Sequence, residues 1–191
     1  MDRLLAGVGP ASTYDAAALD TALEAIRDNR DVSQVPVLID LMRFLIGAAA
    51  ESIVATLEEL TGQEFGRNWN RWMEWLGNNA SGYTTPEEYP HWKSRLYSMI
   101  HPRFGGFLGD AGETARIDLT EVVWGGVAPD GIPDLRNPDT LTVAEAGYMH
   151  PNDRVFGVSI NGEHRAYPLR IINAHEMAND VLGGAPISVL W

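Results

Sequence analysis

The chain has 191 residues, of which 45% are hydrophobic and 21% charged, a balance typical of soluble globular proteins rather than disordered ones. Its formal net charge is -12 at pH 7 and it contains no basic run, so its surface would repel the phosphates of nucleic acids and of anionic lipids. We therefore expect neither nucleic acid nor a membrane as a partner. The sequence contains no cysteine, which excludes disulfides and thiolate metal ligands within these residues.

The apolar segments and the N-terminus decide the expected location of the protein. The first ten residues lack the apolar stretch of about 7 residues that a secretory signal needs. The richest apolar segment, 35–50, is interrupted by Asp40, Arg43 and Gly47. It falls short of the roughly 18 consecutive apolar residues of a membrane helix. The default expectation is a cytoplasmic protein, provided that Met1 is the natural start.

The first half of the chain shows the three- and four-residue apolar spacing of short amphipathic helices. Serine, threonine or aspartate is expected at their N-termini and glycine after their last residue. The predicted helices are 14–30 with Thr13 or Asp15 as its N-cap, one that starts at Ser33, one that ends at Gly62, one around 69–76, and one that Pro86 opens and His101-Pro102 closes.

A ridge of tryptophans stands out in the fourth of these helices. Trp69, Trp72 and Leu76 fall on one helical face, and Trp75 lies nearby. Such a ridge could grip a ligand or form part of a hydrophobic core. We favour the core, because burying each large aromatic side chain stabilises a small helical layer by about 2–3 kcal/mol.

Three successive segments of the helical half are similar to HEAT-type repeats. They are DVSQVPVLIDLMRFL (31–45), AAESIVATLEELTGQEFG (49–66) and WNRWMEWLG (69–77). The resemblance covers residues 14–77 and implies a helical face that binds a protein partner. The alternative is a helical cap on the following domain. We expect the helical, HEAT-like region to span residues 1–108.

Strand and turn signals dominate the rest of the chain. Residues 109–119 are polar and contain glycine, as expected of a linker. A β-hairpin closed by Asn161-Gly162 is the clearest local signal, because an Asn-Gly pair favours the type I′ turn of two-residue hairpins. The predicted elements are a strand at 121–127, a turn at 130–134, hairpin strands at 154–160 and 163–169, a helix at 170–180 ended by Gly183-Gly184, and a strand at 186–191.

These elements predict an α+β fold. The helical region is followed, at residues 119–191, by a mixed α/β domain with a β-hairpin and a short helix. The last predicted strand reaches Trp191 without a turn, a cap or a polar tail. We therefore expect this domain to be the incomplete, N-terminal part of a longer one.

Several motifs of the second half occur together in a known family. They are DGIP (130–133), RAYPLRI (165–171) after the Asn-Gly hairpin, HEMAND (175–180) and the Gly-Gly pair before the last strand. With these motifs, residues 124–191 resemble the start of the domain of unknown function 3179 family. The resemblance implies that a motif close to C-x-x-C-G would follow Trp191, and it implies no activity, since the family carries none that is established.

The HEMAND motif supplies the sharpest candidate site. A zinc-protease H-E-x-x-H would need a second histidine where Asn179 stands, so that hypothesis fails. On a helix, His175 and Asn179 would share one face, and His175 could bind a metal ion together with the cysteines of the implied motif. The alternative is that the His175 ring bonds a backbone carbonyl while Asn179 or Asp180 caps the helix. Glu176 belongs to the same polar cluster.

Three further side chains flank the exit of the hairpin. Arg165, Tyr167 and Arg170 could meet an anionic ligand or pair with Glu176, and structural pairing is the expectation we favour. Asp130 and Asp134 lack the spacing of a calcium loop and are expected to be turn residues.

Two functional hypotheses of different classes follow. In the first, the protein is a metal- or small-ligand-binding protein or an enzyme, whose site is completed by residues after Trp191 and whose cofactor is a metal ion. In the second, it is a non-catalytic interaction module that uses its helical face. We favour the first, because the dense polar motifs lie in the α/β part. No residue is assigned a catalytic role.

Overall fold

A computed structural model describes residues 1–5 and 15–191, so the prediction for Thr13 lies outside the described residues. Contacts divide the chain into two compact units, which we call the helical unit, Met1–Gly126, and the sheet unit, Val127–Trp191. The predicted α+β class is confirmed, since helices fill the first unit and strands dominate the second. None of the helices in the described residues is long and apolar enough to cross a membrane.

Short helices build the helical unit. In the described residues they are α1 (Asp2–Leu5), α2 (Ala16–Asp28), α3 (Val35–Met42), α4 (Gly47–Thr61), α5 (Trp69–Asn78), α6 (Tyr89–Ser98), α7 (Pro102–Leu108) and α8 (Ala111–Thr114). Short 3-10 turns lie at Val32–Gln34, Ala80–Gly82 and Leu119–Glu121.

Helix ends follow the local sequence signals in two places. The Asp15 side chain accepts a hydrogen bond from the Ala18 backbone N–H at 3.0 Å and caps α2. Gly62 ends α4 in the left-handed conformation, with φ of 70°. Both predicted caps are therefore confirmed.

Two predicted helix starts are wrong. Ser33 does not cap α3, because its own N–H and hydroxyl both donate to the Asp31 carboxylate in the preceding 3-10 turn. Pro86 does not open α6, because its carbonyl accepts from the Tyr89 N–H in a turn before the helix. Pro90 takes the position in the first helical turn where a missing N–H costs nothing.

The core of the helical unit contains the tryptophan ridge. Trp72 and Leu76 are buried, whereas Trp69 and Trp75 are half-buried at its edge. The Trp72 indole N–H donates to the Gly66 carbonyl at 2.9 Å, and its ring meets Phe65 edge-on with centroids 4.9 Å apart. The interpretation of the ridge as core is confirmed.

A buried ion pair joins α3 to α6. Lys93, fully buried, lies 2.9 Å from Asp40, whose side chain is 4% exposed. The lysine also donates to the Tyr89 hydroxyl at 3.1 Å and to the Leu119 carbonyl at 2.7 Å, while the Tyr89 hydroxyl donates to Asp40 at 2.5 Å. Burial raises the pKa of Asp40 and lowers the pKa of Lys93, because it disfavours the charged form of each group. The opposite charge of the partner acts against both shifts but is the smaller effect. The pair is held by hydrogen bonds that satisfy both groups.

The strand predicted at 121–127 is wrong. Residues Leu119–Glu121 form a 3-10 turn. In and after this turn, backbone carbonyls accept hydrogen bonds from side chains of α6 and not from a neighbouring strand. Leu119 accepts from Lys93, and Val122 accepts from the Tyr97 hydroxyl at 3.2 Å. Trp124 stacks on Phe44 with ring centroids 6.4 Å apart. The strand-forming residues here pack on helices, so packing overrides their β-propensity.

Two small sheets form the sheet unit. The strands are β1 (Leu135–Arg136), β2 (Val155–Ile160), β3 (Glu163–Pro168), β4 (Met177–Leu182) and β5 (Ala185–Leu190), with the one-turn helix α9 (Leu169–Ile172) after β3. The first sheet has the order β1-β4-β5, with β1 parallel and β5 antiparallel to β4, and the second is the β2-β3 hairpin.

The predicted hairpin is confirmed. Strands β2 and β3 pair in register from Val155↔Pro168 to Ile160↔Glu163. Asn161 and Gly162 have φ of 50° and 84°, as the positive values of a type I′ turn require.

The helix predicted at 170–180 is wrong. Only Leu169–Ile172 is helical, and Glu176 has a left-handed φ of 58° that interrupts any helix. The chain then becomes β4, which pairs with β5 across Gly183-Gly184, at φ of 56° and 75°. The glycine pair is therefore a hairpin turn and not a helix end.

Candidate functional site

Strand β4 separates the residues that a helix would have brought together. Along it, Ala178, Asp180 and Leu182 are buried, while the alternate side chains are more exposed. Because successive side chains of a strand point to opposite faces, Asn179 and Asp180 lie on opposite faces of the sheet. The shared helical face predicted for His175 and Asn179 does not exist, and neither Asn179 nor Asp180 caps a helix.

Asp180 is the centre of the first of three polar groups. Its side chain accepts hydrogen bonds from the Tyr167 hydroxyl at 2.7 Å and from the Arg165 guanidinium. Its other oxygen accepts from the Val181 N–H at 2.7 Å. Asp180 and Tyr167 are buried, and Arg165 is half-buried. Structural pairing, which the sequence favoured for Arg165, accounts for all of these contacts.

The bonds to Asp180 set its charge state. Burial alone would raise the pKa of this carboxyl, but the hydrogen bonds from Arg165, Tyr167 and the Val181 N–H outweigh burial and lower the pKa. A carboxylate whose pKa is lower in the folded than in the unfolded chain stabilises the fold above the unfolded pKa of about 3.9. That contribution is lost as the pH falls through the folded pKa.

We predict that the sheet unit loses stability below about pH 4, where protonation of Asp180 breaks its charged hydrogen bonds. Asp180→Asn should lower its free energy of unfolding at pH 7 by about 1.5–3 kcal/mol and flatten this acid dependence. Hydrogen–deuterium exchange of peptides covering β4 and β5, followed from pH 7 to pH 3, measures both effects.

Asp139→Asn is the matched control, since Asp139 is exposed in the same unit and is not part of the Asp180 cluster. It should leave exchange in β4 and β5 unchanged. An acid dependence that is equally steep in wild type and Asp180→Asn would contradict the assignment.

Asn179 is the centre of the second group, on the other face of β4. Its amide nitrogen donates to Asp134 at 2.7 Å, and its amide oxygen accepts from the Ser188 hydroxyl at 2.6 Å. The Arg136 Nε lies 3.0 and 3.1 Å from the two oxygens of Asp134. The hydrogen bond from Asn179, followed by that from Arg136, lowers the pKa of Asp134. This group therefore links β4 to β5 and to the residue before β1.

The third group surrounds His175. Its Nδ1 lies 2.8 Å from the Pro133 carbonyl oxygen. Because a carbonyl only accepts, Nδ1 carries the proton, and Nε2 is the ring nitrogen that remains for a ligand. The hydrogen bond to a backbone carbonyl, which was the alternative expected for His175, is thus present.

His175 lines a cavity of about 500 Å³ together with four charged residues. These are Asp130, Asp134, Arg136 and Glu176. Asp130 and Glu176 both adopt a left-handed φ of 58°. Residues with side chains rarely take this conformation, and such positions cluster at binding and active sites. The cavity combines a fixed imidazole, carboxylates and constrained backbone.

The predicted site residues do not form one site. Arg165 and Tyr167 line a separate cavity of about 750 Å³, which His175 and Glu176 do not line. Arg170 donates to the Tyr148 carbonyl at 3.2 Å and lies 3.5 Å from Asp153. Neither arginine pairs with Glu176 in the contacts described.

Three charged residues of the His175 cavity were missed as ligand candidates. Asp130 and Asp134 were assigned to a turn, and Arg136 was not singled out. The available signal was the DGIP motif, which places Asp134 directly after Pro133, the hydrogen-bond partner of His175. Among residues 1–5 and 15–191, no group of three His, Asp or Glu side chains is arranged to hold a metal ion.

Fold and cavity define an α+β protein whose small mixed-sheet unit carries a polar, histidine-containing cavity. Residues 129–191, a third of the chain, match the model of the family described as "Protein of unknown function (DUF3179)". This match confirms the resemblance predicted for the second half of the sequence. Comparison with curated proteins and with solved structures gives no match.

Proposed function

We propose that the sheet unit binds a small cationic ligand, a divalent metal ion, in the cavity beside His175. The observation that carries the proposal is the hydrogen bond from His175 Nδ1–H to the Pro133 carbonyl at 2.8 Å. Histidines that bind metals characteristically donate their other ring N–H to a carbonyl or carboxylate, which fixes the ring and its tautomer. His175 is held in the state that a metal ligand needs.

The charges around the cavity favour a cation. Asp134 and Glu176 supply two carboxylates, against the single guanidinium of Arg136. The excess of carboxylates attracts a cation and disfavours an anionic ligand.

The ligand types favour a borderline transition metal such as Zn²⁺ or Co²⁺. Imidazole nitrogen and carboxylate oxygen are both ligands of these ions. His175 would be one ligand and Glu176 a second, while Asp134 already accepts hydrogen bonds from Asn179 and Arg136. Remaining positions would be filled by water or by groups that residues 1–191 do not contain. The bound ion would act as a Lewis acid or hold structure, and the residues described here would hold it in place.

We predict that the chain binds Co²⁺ or Zn²⁺ saturably, and that His175→Ala weakens binding about 10-fold or more because the fixed nitrogen ligand is lost. Isothermal titration calorimetry measures the affinity, and the visible absorption of Co²⁺ reports its ligands. Glu176→Gln should weaken binding less, since a neutral amide oxygen can still coordinate.

His164→Ala is the matched control. His164 is an exposed histidine of β3 whose Nδ1 lies 2.8 Å from the Ser159 hydroxyl, and it does not line this cavity. Binding should be unchanged in that variant. No saturable binding to wild type, or equal affinities for wild type and His175→Ala, would overturn the proposal.

The second hypothesis, a protein partner on the helical face, stays a prediction, as do the HEAT-type character of that region and the cytoplasmic location. The contacts described for the helical unit single out no docking face.

A further inference from the structure

We propose that the helical unit contains a second binding site, for a small uncharged molecule that carries an amide group. The site is a cavity of about 830 Å³, bounded by α1, α2, the turn Val32–Gln34 and the start of α6. This volume lies within the range of about 300–1,000 Å³ that is usual for small-ligand sites. The proposal is independent of the metal site, since all lining residues belong to the helical unit.

Trp92 supplies the first observation. It lines the cavity and is 1% exposed, yet its indole N–H has no hydrogen-bond partner among residues 1–5 and 15–191. The ring is held in place by stacking on Tyr89, at a centroid distance of 6.1 Å and an interplanar angle of 20°. An unpaired buried donor of this kind costs about 1–3 kcal/mol, which a ligand acceptor would offset.

Gln34 supplies the second observation. It lines the same cavity and is 9% exposed, and its amide oxygen has no hydrogen-bond partner in the part of the chain that the structure describes. The orientation of the amide is fixed, because its nitrogen lies 3.2 Å from the Asp31 carboxylate and 3.4 Å from the Ser33 hydroxyl. A carboxylate only accepts, so the nitrogen must face it and the oxygen cannot exchange places with the nitrogen.

These two atoms define the chemistry of the ligand. The Trp92 N–H needs a hydrogen-bond acceptor, and the Gln34 oxygen needs a donor. Buried polar atoms in native proteins are almost always paired in this way. A carboxamide, lactam or ureide supplies a carbonyl oxygen and an N–H on one small group. Separate water molecules could satisfy the two atoms, but they would not explain why an unpaired donor and an unpaired acceptor line the same cavity.

The walls and rim of the cavity favour an uncharged ligand. Apolar side chains, among them Leu4, Ala22 and Ile26, form much of the wall. At the rim, Arg95 is paired with Asp2. The other charged side chains of the lining are of both signs: Arg3, Asp31 and Glu88. Because positive and negative groups are mixed, no single charge selects an ionic ligand, and the apolar wall suits a compact ring or chain beside the amide.

The test uses a panel of small amides, 2-piperidone, benzamide and uracil, and the fully N-methylated form of each, in which no amide N–H remains. The readout is the indole N–H resonance of Trp92 in ¹⁵N-labelled protein, assigned by its disappearance in Trp92→Phe. At least one amide should shift this resonance saturably, and its N-methylated form should bind about 5-fold more weakly, the effect of one lost hydrogen bond of about 1 kcal/mol.

Internal and variant controls complete the test. The Trp69 indole N–H, which donates to the Ile39 carbonyl at 3.2 Å, should not move. Gln34→Met should remove the preference for the amide over its methylated form, while Gln63→Met in the same unit should keep it. The proposal would be overturned if no probe gave a saturable shift, or if an amide and its methylated form bound equally well. It would also be overturned if the Trp92 N–H exchanged magnetisation with water alone, because the cavity would then hold only an ordered water.

Discussion

Replacing Lys93 by methionine is expected to lower the free energy of unfolding of the helical unit by about 3–5 kcal/mol. The change keeps an unbranched side chain, one heavy atom shorter, but leaves the Asp40 carboxylate buried without its cation. Removing one partner of a buried pair costs far more than the pair itself contributes, because the remaining charge stays desolvated. Denaturant unfolding followed by circular dichroism at 222 nm measures the loss, since the long helices lie in this unit.

Two companion variants separate the lost charge partner from lost packing. Lys93→Met combined with Asp40→Asn removes both charges and keeps an acceptor for the Tyr89 hydroxyl, so it should recover at least half of the loss. Arg116→Met, at an exposed cation of the same unit, should change stability by less than about 0.5 kcal/mol. Wild-type stability of Lys93→Met would contradict the role of the pair.

The loss in Lys93→Met should also shrink in acid. Without Lys93, burial raises the pKa of Asp40 further above its ordinary value. A carboxyl with a raised folded pKa destabilises the fold most at high pH, and this penalty disappears as the pH falls toward the unfolded value of about 3.9. The difference between variant and wild type should therefore be smaller at pH 5 than at pH 7.

The second large effect is expected for Trp72→Ala, at about 3–5 kcal/mol. Trp72 is fully buried, donates to the Gly66 carbonyl at 2.9 Å and packs edge-on against Phe65. Its removal leaves a large cavity and an unpaired carbonyl, and both destabilise the helical unit. Unfolding by urea, followed at 222 nm, gives the value.

Trp75→Ala is the matched control on the same helix. Trp75 is half-buried, with ring contacts to Phe65 at 6.5 Å and Tyr83 at 5.2 Å. Its replacement should cost about 1–2 kcal/mol, because less apolar area leaves the core. A loss for Trp72→Ala that is no larger than about 1–2 kcal/mol would contradict the core interpretation of the ridge.

The sequence predicted elements whose signals are local. The Asp15 cap, the Gly62 helix end and the Asn161-Gly162 turn each depend on a few neighbouring residues, and the structure confirms all three. Strand β4 was missed because the residues of α9 before it are helical. The sequence prediction extended their helical apolar pattern past Glu176 into the strand. Its strand state depends on pairing with β5 and β1, which no local signal contains.

The strand prediction at 121–127 failed for a related reason. Its residues favour strands by propensity, but the backbone carbonyls of Leu119, just before it, and of Val122 accept hydrogen bonds from Lys93 and Tyr97 of α6. A charged side chain that reaches a backbone carbonyl 26 positions along the chain leaves no trace in local periodicity. Tertiary contacts decide such segments.

Within the candidate site, His175 and Glu176 were chosen correctly as neighbours but for the wrong geometry. They share a cavity because a left-handed residue follows α9, and a helix face is not involved. Asp134 and Arg136 join them through the parallel pairing of β1 with β4, a contact between residues more than 40 positions apart. The metal proposal accordingly depends on topology that the motif alone could not supply.

Burial of Lys93 also limits chemical modification of the chain. Lys93 is the only lysine in the sequence, so apart from the N-terminal amine it is the only primary amine of the chain. Acylating reagents and lysine-specific proteases can therefore reach this position only in molecules whose helical unit has opened, whatever the state of the sheet unit. Any modifier attached through a lysine amide, including an acetyl group or ubiquitin, would mark the opened form and spare the folded one.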